Sequence, residues 1–471
     1  MSVNIAIVSG EASGDLIAAG LARQLYRLVP GVQLWGVGSE ASAAAGVELL
    51  ADSAGWGSIS ITHAIGKIPR LLFGVLPQVL RELKKRKPAV IVLIDFGAAN
   101  RILAKRAKAL GFKVVWYFPP GAAHRRTGKK GTNLAALTDL LILPFEWSAD
   151  RLRGLGCNTV SVGHPIIERT KSAYDRGAFA KLFGLDPTRP IIGLLPGSRT
   201  HEVEHLMPTL INAARLIYKE VRDAQFVIGV APGMTREQMM KYLSSAPDVA
   251  ERIEEAWHEF VQEAETRLLR PVSRTADMLT GRTQRSLVTV QGLIVPEDTL
   301  KDNSNAERRS QQLRTNAERA LPPVVLAKGV TSELMAHSDV LLTCSGTATL
   351  EAAAFGTPML ILYRYSKMMA FEIAVLGVKK RIKMIGLPNI LAERMIVPEL
   401  IQETCTPENI AQHTIQLLRD PKVRGQMKAD LAEVRALLGE PGVSERAAIH
   451  VLKVAGIVPI TEPAHSAAPE T

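Results

Sequence analysis

Cysteine is scarce in this chain of 471 residues: there are three, Cys157, Cys344 and Cys405. Three thiols make no paired framework, so a disulfide-stapled scaffold is excluded and reduced thiols in a cytoplasmic protein are expected. Aromatic residues make up only 5% of the chain. Zinc-knuckle spacing, an arginine-rich arm and an aromatic-studded nucleic-acid motif are all lacking, so nucleic acid is not an expected partner. No run is long and apolar enough to span a bilayer. The first apolar run, residues 3–9, has no basic lead, which excludes a signal-peptide reading.

What is present is ordinary globular material with a basic balance. Hydrophobic residues make up 47% and charged residues 22%, enough for two or three domains with full cores. The formal net charge of +11 favours anionic partners, such as phosphorylated substrates or an acidic membrane surface.

The order of segments predicts the fold class, α/β with two Rossmann-like doubly wound domains facing a cleft. Short apolar runs at 3–9, 34–37, 89–95, 114–118, 140–144 and 159–162 alternate with helical stretches such as 15–28 and 101–110. Continuous apolar strands separated by helices imply a parallel sheet covered on both faces. After a linker-like stretch at 184–190 the pattern restarts, with strands at 191–195, 224–228, 339–343 and 359–362. The expected domains are therefore 1–185 and 186–455, followed by a disordered tail at 456–471. A charged stretch at about 250–321, poor in large apolar residues, reads as an insertion in the second domain.

Three strand-to-helix turns carry candidate chemistry. Ser345, Gly346 and Thr347 follow an apolar strand; Ser345 or Thr347 can cap the next helix, and free amides at a helix start suit a phosphate. Glu351, one helical turn on, could hold sugar hydroxyls. In the second turn, Gly197, Ser198 and Arg199 place a guanidinium beside a helix start, suited to a diphosphate. The third turn, Gly10-Glu11-Ala12-Ser13, opens the first helix and puts an acid there; it lacks the third glycine of the dinucleotide fingerprint. His201-Glu202-Val203-Glu204-His205 matches the short zinc-protease pattern but has no third ligand at a usual spacing, so no metal is expected. Residues 67–87 interleave apolar anchors with Lys67, Arg70, Arg81, Lys84, Lys85, Arg86 and Lys87. This is the composition either of an interfacial membrane segment or of a core helix with a solvated basic end.

Taken together these stretches resemble the lipid-A-disaccharide synthase family, glycosyltransferases of the GT-B arrangement. The resemblance rests on 9–15, 87–95 with Asn100, 144–146, 163–165, 194–204, 345–351 with Pro358 and Met359, Tyr363-Arg364, and above all Leu387-Pro388-Asn389-Ile390-Leu391-Ala392. It spans about 3–455 apart from the insertion. Nucleotide-sugar epimerases share the architecture, but the 387–392 signature argues against them.

The resemblance implies transfer of a diacylglucosamine unit from a UDP donor to an acylated glucosamine phosphate acceptor. It places Arg199 and 345–347 near the diphosphate, Glu351 near the ribose and Asn389 near the nucleotide, with Tyr363 and Arg364 in the same donor half. The first domain would take the acceptor, with Asn100 and His124 beside Gly10 and Ser13. Residues 67–87 would rest on the inner membrane, and the chain could pair as a homodimer. UDP-sugar is a substrate, so no cofactor is implied.

One half of the pattern departs from the family. After the fourth strand the family reads Asp-Ala-Pro-Asp-Phe-Asn, whereas this chain reads Asp95-Phe96-Gly97-Ala98-Ala99-Asn100, so the second Asp, thought to be catalytic, is Ala98. The family's Ser-Pro-Ser-Val-Trp-Ala-Trp is replaced by Pro119-Pro120-Gly121-Ala122-Ala123-His124-Arg125. Alanine accepts no proton. Three readings stay open: an active enzyme with its base at Glu11, Asp95 or His124; a UDP-sugar transferase with another acceptor; or a catalytically silent UDP-sugar- or lipid-binding relative.

Overall fold

The computed structural model of the protein describes residues 3–53, 70–119, 132–231, 234, 238–239, 324–365 and 384–460. The expected insertion, His124, residues 67–69 and residues 461–471 of the expected tail lie outside the described residues.

The chain divides into two compact units, Met1–Glu168 with Leu437–Thr471, and Arg169–Ala436. The linker-like stretch at 184–190 therefore lies inside the second unit. It is held there by Arg176, which donates to the Pro187 and Arg189 carbonyls and pairs with Asp339 at 2.8 Å.

Unit 1 is built on seven parallel strands: β1 (Asn4–Ser9), β2 (Gln33–Gly38), β3 (Glu48–Asp52), β4 (Val90–Ile94), β5 (Val114–Tyr117), β6 (Leu140–Leu143) and β7 (Thr159–Ser161). Their order is β3-β2-β1-β4-β5-β6-β7. The inner strands β4, β5 and β6 are apolar and buried throughout because both faces are covered. Ile5, Ile7, Val90 and Val92 pack on the helix Ala12–Leu28 through Ala18, Leu21 and Leu25. Ala6, Val8, Ile91 and Leu93 pack on the other face against Val79, Leu83, Leu103 and Ala107.

The C-terminal helix Val443–Ala455 returns to unit 1, where Ala447, Ala448 and Val451 join the first of these cores. Glu168 fixes it by accepting from the Ser444 backbone N–H at 2.9 Å and from the Ser444 hydroxyl. Residues 456–460, expected to begin the tail, continue this attachment, the Ile460 amide donating to the Leu28 carbonyl at 2.9 Å.

Unit 2 carries six parallel strands: β8 (Ile191–Leu195), β9 (Gln225–Val230), β10 (Val324–Lys328), β11 (Val340–Cys344), β12 (Met359–Tyr363) and β13 (Glu399–Ile401). Their order is β10-β9-β8-β11-β12-β13.

Each sheet reverses direction once. The chain moves outward on one side of β1, then returns to β4 on the other side; β8 and β11 repeat the plan. Loops leaving two such strands diverge and open a crevice at the carboxyl ends of the strands, where ligands of doubly wound sheets sit. The pairings Ser9↔Ile94 and Leu195↔Thr343 bring the two turns of each crevice level with one another.

Candidate functional site

In unit 1 the crevice is acidic. Glu11 is the N-cap residue of the helix Ala12–Leu28, and Asp95 directly follows β4. Burial pushes the Asp95 carboxyl up to about 6; the neighbouring Glu11 carboxylate raises it further in the same sense, and a hydrogen bond from the Phe96 backbone opposes them. A carboxyl raised by burial, with a second acid beside it, is the arrangement that holds a general base near neutral pH.

The backbone beneath them is strained. Asp95, Phe96 and Phe118 have φ of 47°, 46° and 56°, a region that costs non-glycine residues about 1–3 kcal/mol each. Asn100 supports this turn. It is 1% exposed and its Nδ2 donates to the Ile94 and Asp95 carbonyls at 3.1 and 2.9 Å. Trp116 Nε1 also donates to the Asp95 carbonyl, at 3.1 Å. Asn100, expected at a substrate, is thus a support of the turn that carries Asp95. Gly10 changes role too: a Cβ there would lie 2.1 Å from the Phe96 ring, so the close approach it permits is to Phe96. Ser13 lies in the first turn of the helix Ala12–Leu28, and Ala98 is the second residue of the helix Gly97–Ala109.

In unit 2 the crevice holds backbone amides and two guanidiniums, Arg199 and Arg169, each paired with a carboxylate. Gly346, not Ser345 or Thr347, is the N-cap of the helix Thr347–Phe355, and no side chain caps that helix. Ser345 instead donates its hydroxyl to the Ile385 carbonyl at 3.3 Å. Gly346 and Thr347 are exposed, and nothing lies within 4 Å of the place a Gly346 Cβ would take. Backbone can therefore approach a ligand here with the positive end of a helix behind it.

The partner turn after β8 is closed. Glu202, 3% exposed, folds back so that its Oε2 accepts from the Ser198 and Arg199 amides at 3.0 and 3.2 Å. Its Oε1 accepts from Arg199 Nη1 at 2.7 Å. A Cβ at Gly197 would meet Glu202 Oε2 at 2.6 Å, so this glycine admits Glu202 and not a ligand. The expectation of two phosphate-ready turns reduces to one open turn plus a guanidinium.

Glu351 is engaged on both oxygens, by Arg169 Nη2 at 2.9 Å and the Ser332 hydroxyl at 3.1 Å. Tyr363, the last residue of β12, has its phenol raised to about 12 by burial first, with the field of Glu202 among the further causes. Arg364 points to Thr209 Oγ1 and the Cys405 carbonyl, at 3.0 and 3.1 Å. Asn389 is fully buried: Nδ2 donates to the Val397 carbonyl and Glu399 Oε1, and Oδ1 accepts from the Ile396 and Val397 amides. Both were expected at the donor; Arg364, which follows β12, ties that end to Thr209 and Cys405, and Asn389 ties the helix Leu387–Ala392 to the residues that lead into β13. Among the described residues no group of three or more His, Cys, Asp or Glu is placed to hold a metal.

A family model, lipid-A-disaccharide synthetase, matches residues 5–276 and 251–454. The lipid-A-disaccharide synthase of Anaeromyxobacter dehalogenans (strain 2CP-1) is 33% identical over 453 residues, covering 96% of this chain and 97% of that one. The chain belongs to the lipid-A-disaccharide synthase family. The synthase of Geobacter metallireducens, 29% identical over 456 residues, covers 96% and 97%.

Membership makes this a glycosyltransferase sequence of the hexosyl-transferring kind, in lipid A biosynthesis. The fold is shared more widely. The UDP-GlcNAc 2-epimerase from Neisseria meningitidis bound to UDP-GlcNAc superposes with a TM-score of 0.51 at 13% identity, covering 96% of this chain and 100% of that one. The S. aureus MnaA-UDP co-structure gives 0.52 at 14%, covering 97% and 98%.

Within the family frame, the residues that sequence reasoning passed over as site-builders are Phe96, Arg169, Glu202 and Ser332. Only Glu202 carried a signal, as an acid three residues after Arg199 in the pattern of a capping box.

The segment expected at a membrane divides. Arg70–Val75 forms a π-helical turn that runs into the helix Leu76–Arg86. Val75, Leu76, Val79 and Leu83 pack in the core, and Arg86 is held by Glu48 and Glu82 over the Trp35 ring. Phe73 is 82% exposed. Among the described residues no helix is long and apolar enough to cross a membrane.

Proposed function

We propose that the protein transfers a 2,3-diacylglucosamine unit from its UDP donor to 2,3-diacylglucosamine 1-phosphate with inversion, giving a β-1,6-linked disaccharide and UDP. The observation that carries this reading is the complementary chemistry of the two crevices in a chain of this family: a carboxyl pair in unit 1, open amides and a guanidinium in unit 2. Proteins that share the fold hold UDP or UDP-GlcNAc, which supports a UDP-sugar donor.

Asp95 takes the place that Ala98 vacates. It accepts the proton of the acceptor's 6-hydroxyl; that oxygen forms the new bond to the donor's anomeric carbon, and the bond from that carbon to the diphosphate breaks on the opposite face. A carboxyl near 6 is largely ionised at neutral pH yet more basic than an ordinary carboxylate. Glu11 keeps it so. The departing diphosphate is stabilised by the amides at Gly346–Ala348 and by the outward edge of Arg199. Glu351 exchanges part of its present hydrogen bonding for ribose hydroxyls, and Tyr363 borders the donor. Exposed Phe73, with Lys84, Lys85 and Lys87 nearby in sequence, holds the protein to the cytoplasmic side of the inner membrane, where both acylated substrates reside.

The test is a mass-spectrometric assay with UDP-diacylglucosamine and diacylglucosamine 1-phosphate. Disaccharide and UDP in equal amounts are expected. UDP binding without disaccharide would favour the second reading, a UDP-sugar transferase with another acceptor, to which Ala98 and the rewritten residues 119–125 already point.

A further inference from the structure

We infer that Glu202 is a positioning residue for the donor diphosphate, acting through Arg199, and that its carboxylate fills the anion position of its own turn so that ligand phosphate is directed to the turn at Gly346. This rests on the donor reading above.

Three observations support it. Glu202 is 3% exposed and accepts three hydrogen bonds, two from backbone amides and one from Arg199. Those are the amides at Ser198 and Arg199 that an incoming phosphate would otherwise take, and Gly197 at φ 131° leaves the space for the carboxylate to reach them. The Arg199 side chain is 36% exposed while Glu202 is 3%, so one nitrogen of the guanidinium is tied down and the rest is free to meet an anion.

Strand pairing puts this turn beside Ser345–Thr347, and the Glu202 charge is among the causes that raise the Cys344 thiol and the Tyr363 phenol at the ends of β11 and β12. A carboxylate is required because it only accepts. A carboxamide in its place presents an N–H to one of the three donors and releases either an amide or the guanidinium. An arginine so released must be ordered when ligand binds, at a cost in affinity for the diphosphate and none for the nucleoside.

The experiment is calorimetric titration of the full chain with UDP and with uridine. Wild-type protein should bind UDP far more tightly than uridine; if it does not, the donor reading itself fails. Glu202→Gln should weaken UDP about 10-fold and leave uridine within about twofold. In an Arg199→Ala background the same change should cost nothing further, because the residue through which it acts is gone. UDP affinity unchanged in a folded Glu202→Gln protein, or an equal loss with and without Arg199, would overturn the inference. Should Glu202→Gln fail to fold, Arg199→Lys serves instead. A single ammonium cannot bridge Glu202 and the diphosphate as the guanidinium does, so UDP should weaken while uridine does not; full UDP affinity would overturn the inference.

Discussion

The two units apply one topology to opposite chemistry. In both, the two strands at the reversal are followed by turns that end level with one another. In unit 1 those turns carry Glu11 and Asp95, and the side chain that fills the gap is Phe96, against Gly10. In unit 2 they carry Arg199 and an uncapped helix start, and the filler is Glu202, against Gly197. A glycine beside a parallel strand therefore signals close approach without saying to what. Here two glycines expected to admit a ligand admit the protein's own side chains, and of the three turn glycines Gly10, Gly197 and Gly346 the last faces open space. What separates the halves is charge: one holds a proton acceptor, the other offers hydrogen-bond donors to an anion.

The strongest way to break this comparison is Arg199→Ala. Removing the guanidinium should cut UDP release from the donor by at least about 100-fold, as loss of a preorganised electrostatic contact does. Turnover unchanged would remove Arg199 from the site.

Asn389→Ala separates structural from ligand roles in unit 2. It orphans two amides and a carbonyl and should cost about 3 kcal/mol of stability by chemical denaturation, with UDP affinity of the folded fraction retained. Lost affinity at unchanged stability would return Asn389 to the nucleotide.

Asp95→Asn sharpens the acid half. The native Asp95 carboxyl binds its proton more tightly than in the unfolded chain, so stability is lost as pH rises from about 4 through about 6. The Asn variant lacks that loss. Well above pH 6 it should be more stable than wild type by about 3 kcal/mol, read as a higher melting temperature, and the gap should close below pH 4. A gap of the opposite sign would contradict the burial of this charge.

The smallest effect belongs to Glu11→Gln. Removing the second carboxylate lets the Asp95 carboxyl fall, so the acid limb of the pH–rate profile should move to lower pH; burial, the larger cause, remains. A limb that stays in place would show that Glu11 does not act on Asp95.

The sheets were legible from sequence because buried parallel strands are apolar on both sides. The runs at 89–95 and 191–195 declare themselves, and β4 and β8 lie within them. β3 and β13 were missed because edge strands are half-covered and short: Glu48–Asp52 begins and ends in acids, and Glu399–Ile401 is only three residues long with one buried. β10 was passed over at the margin of the charged stretch. The return of the helix Val443–Ala455 to unit 1 has no local signature at all, being decided by Glu168 and Val162, far away in sequence.

At the site, position was legible and partnership was not. Sequence placed Glu11, Arg199 and Ser345–Thr347 at strand ends. Whether a strand-end amide or carbonyl is free depends on a side chain folding back, and that is settled only by packing, as Glu202 shows for two amides and Asn100 for two carbonyls.

The central claim is that the crevice of unit 1 supplies the base the family pattern lacks at Ala98. Asp95→Asn, assayed for disaccharide from the two acylated substrates with its UDP affinity measured alongside, tests it most directly. The account predicts a loss of transfer of at least about 100-fold with UDP affinity within about twofold of wild type. Transfer at the wild-type rate, or transfer and UDP binding falling together, would contradict it.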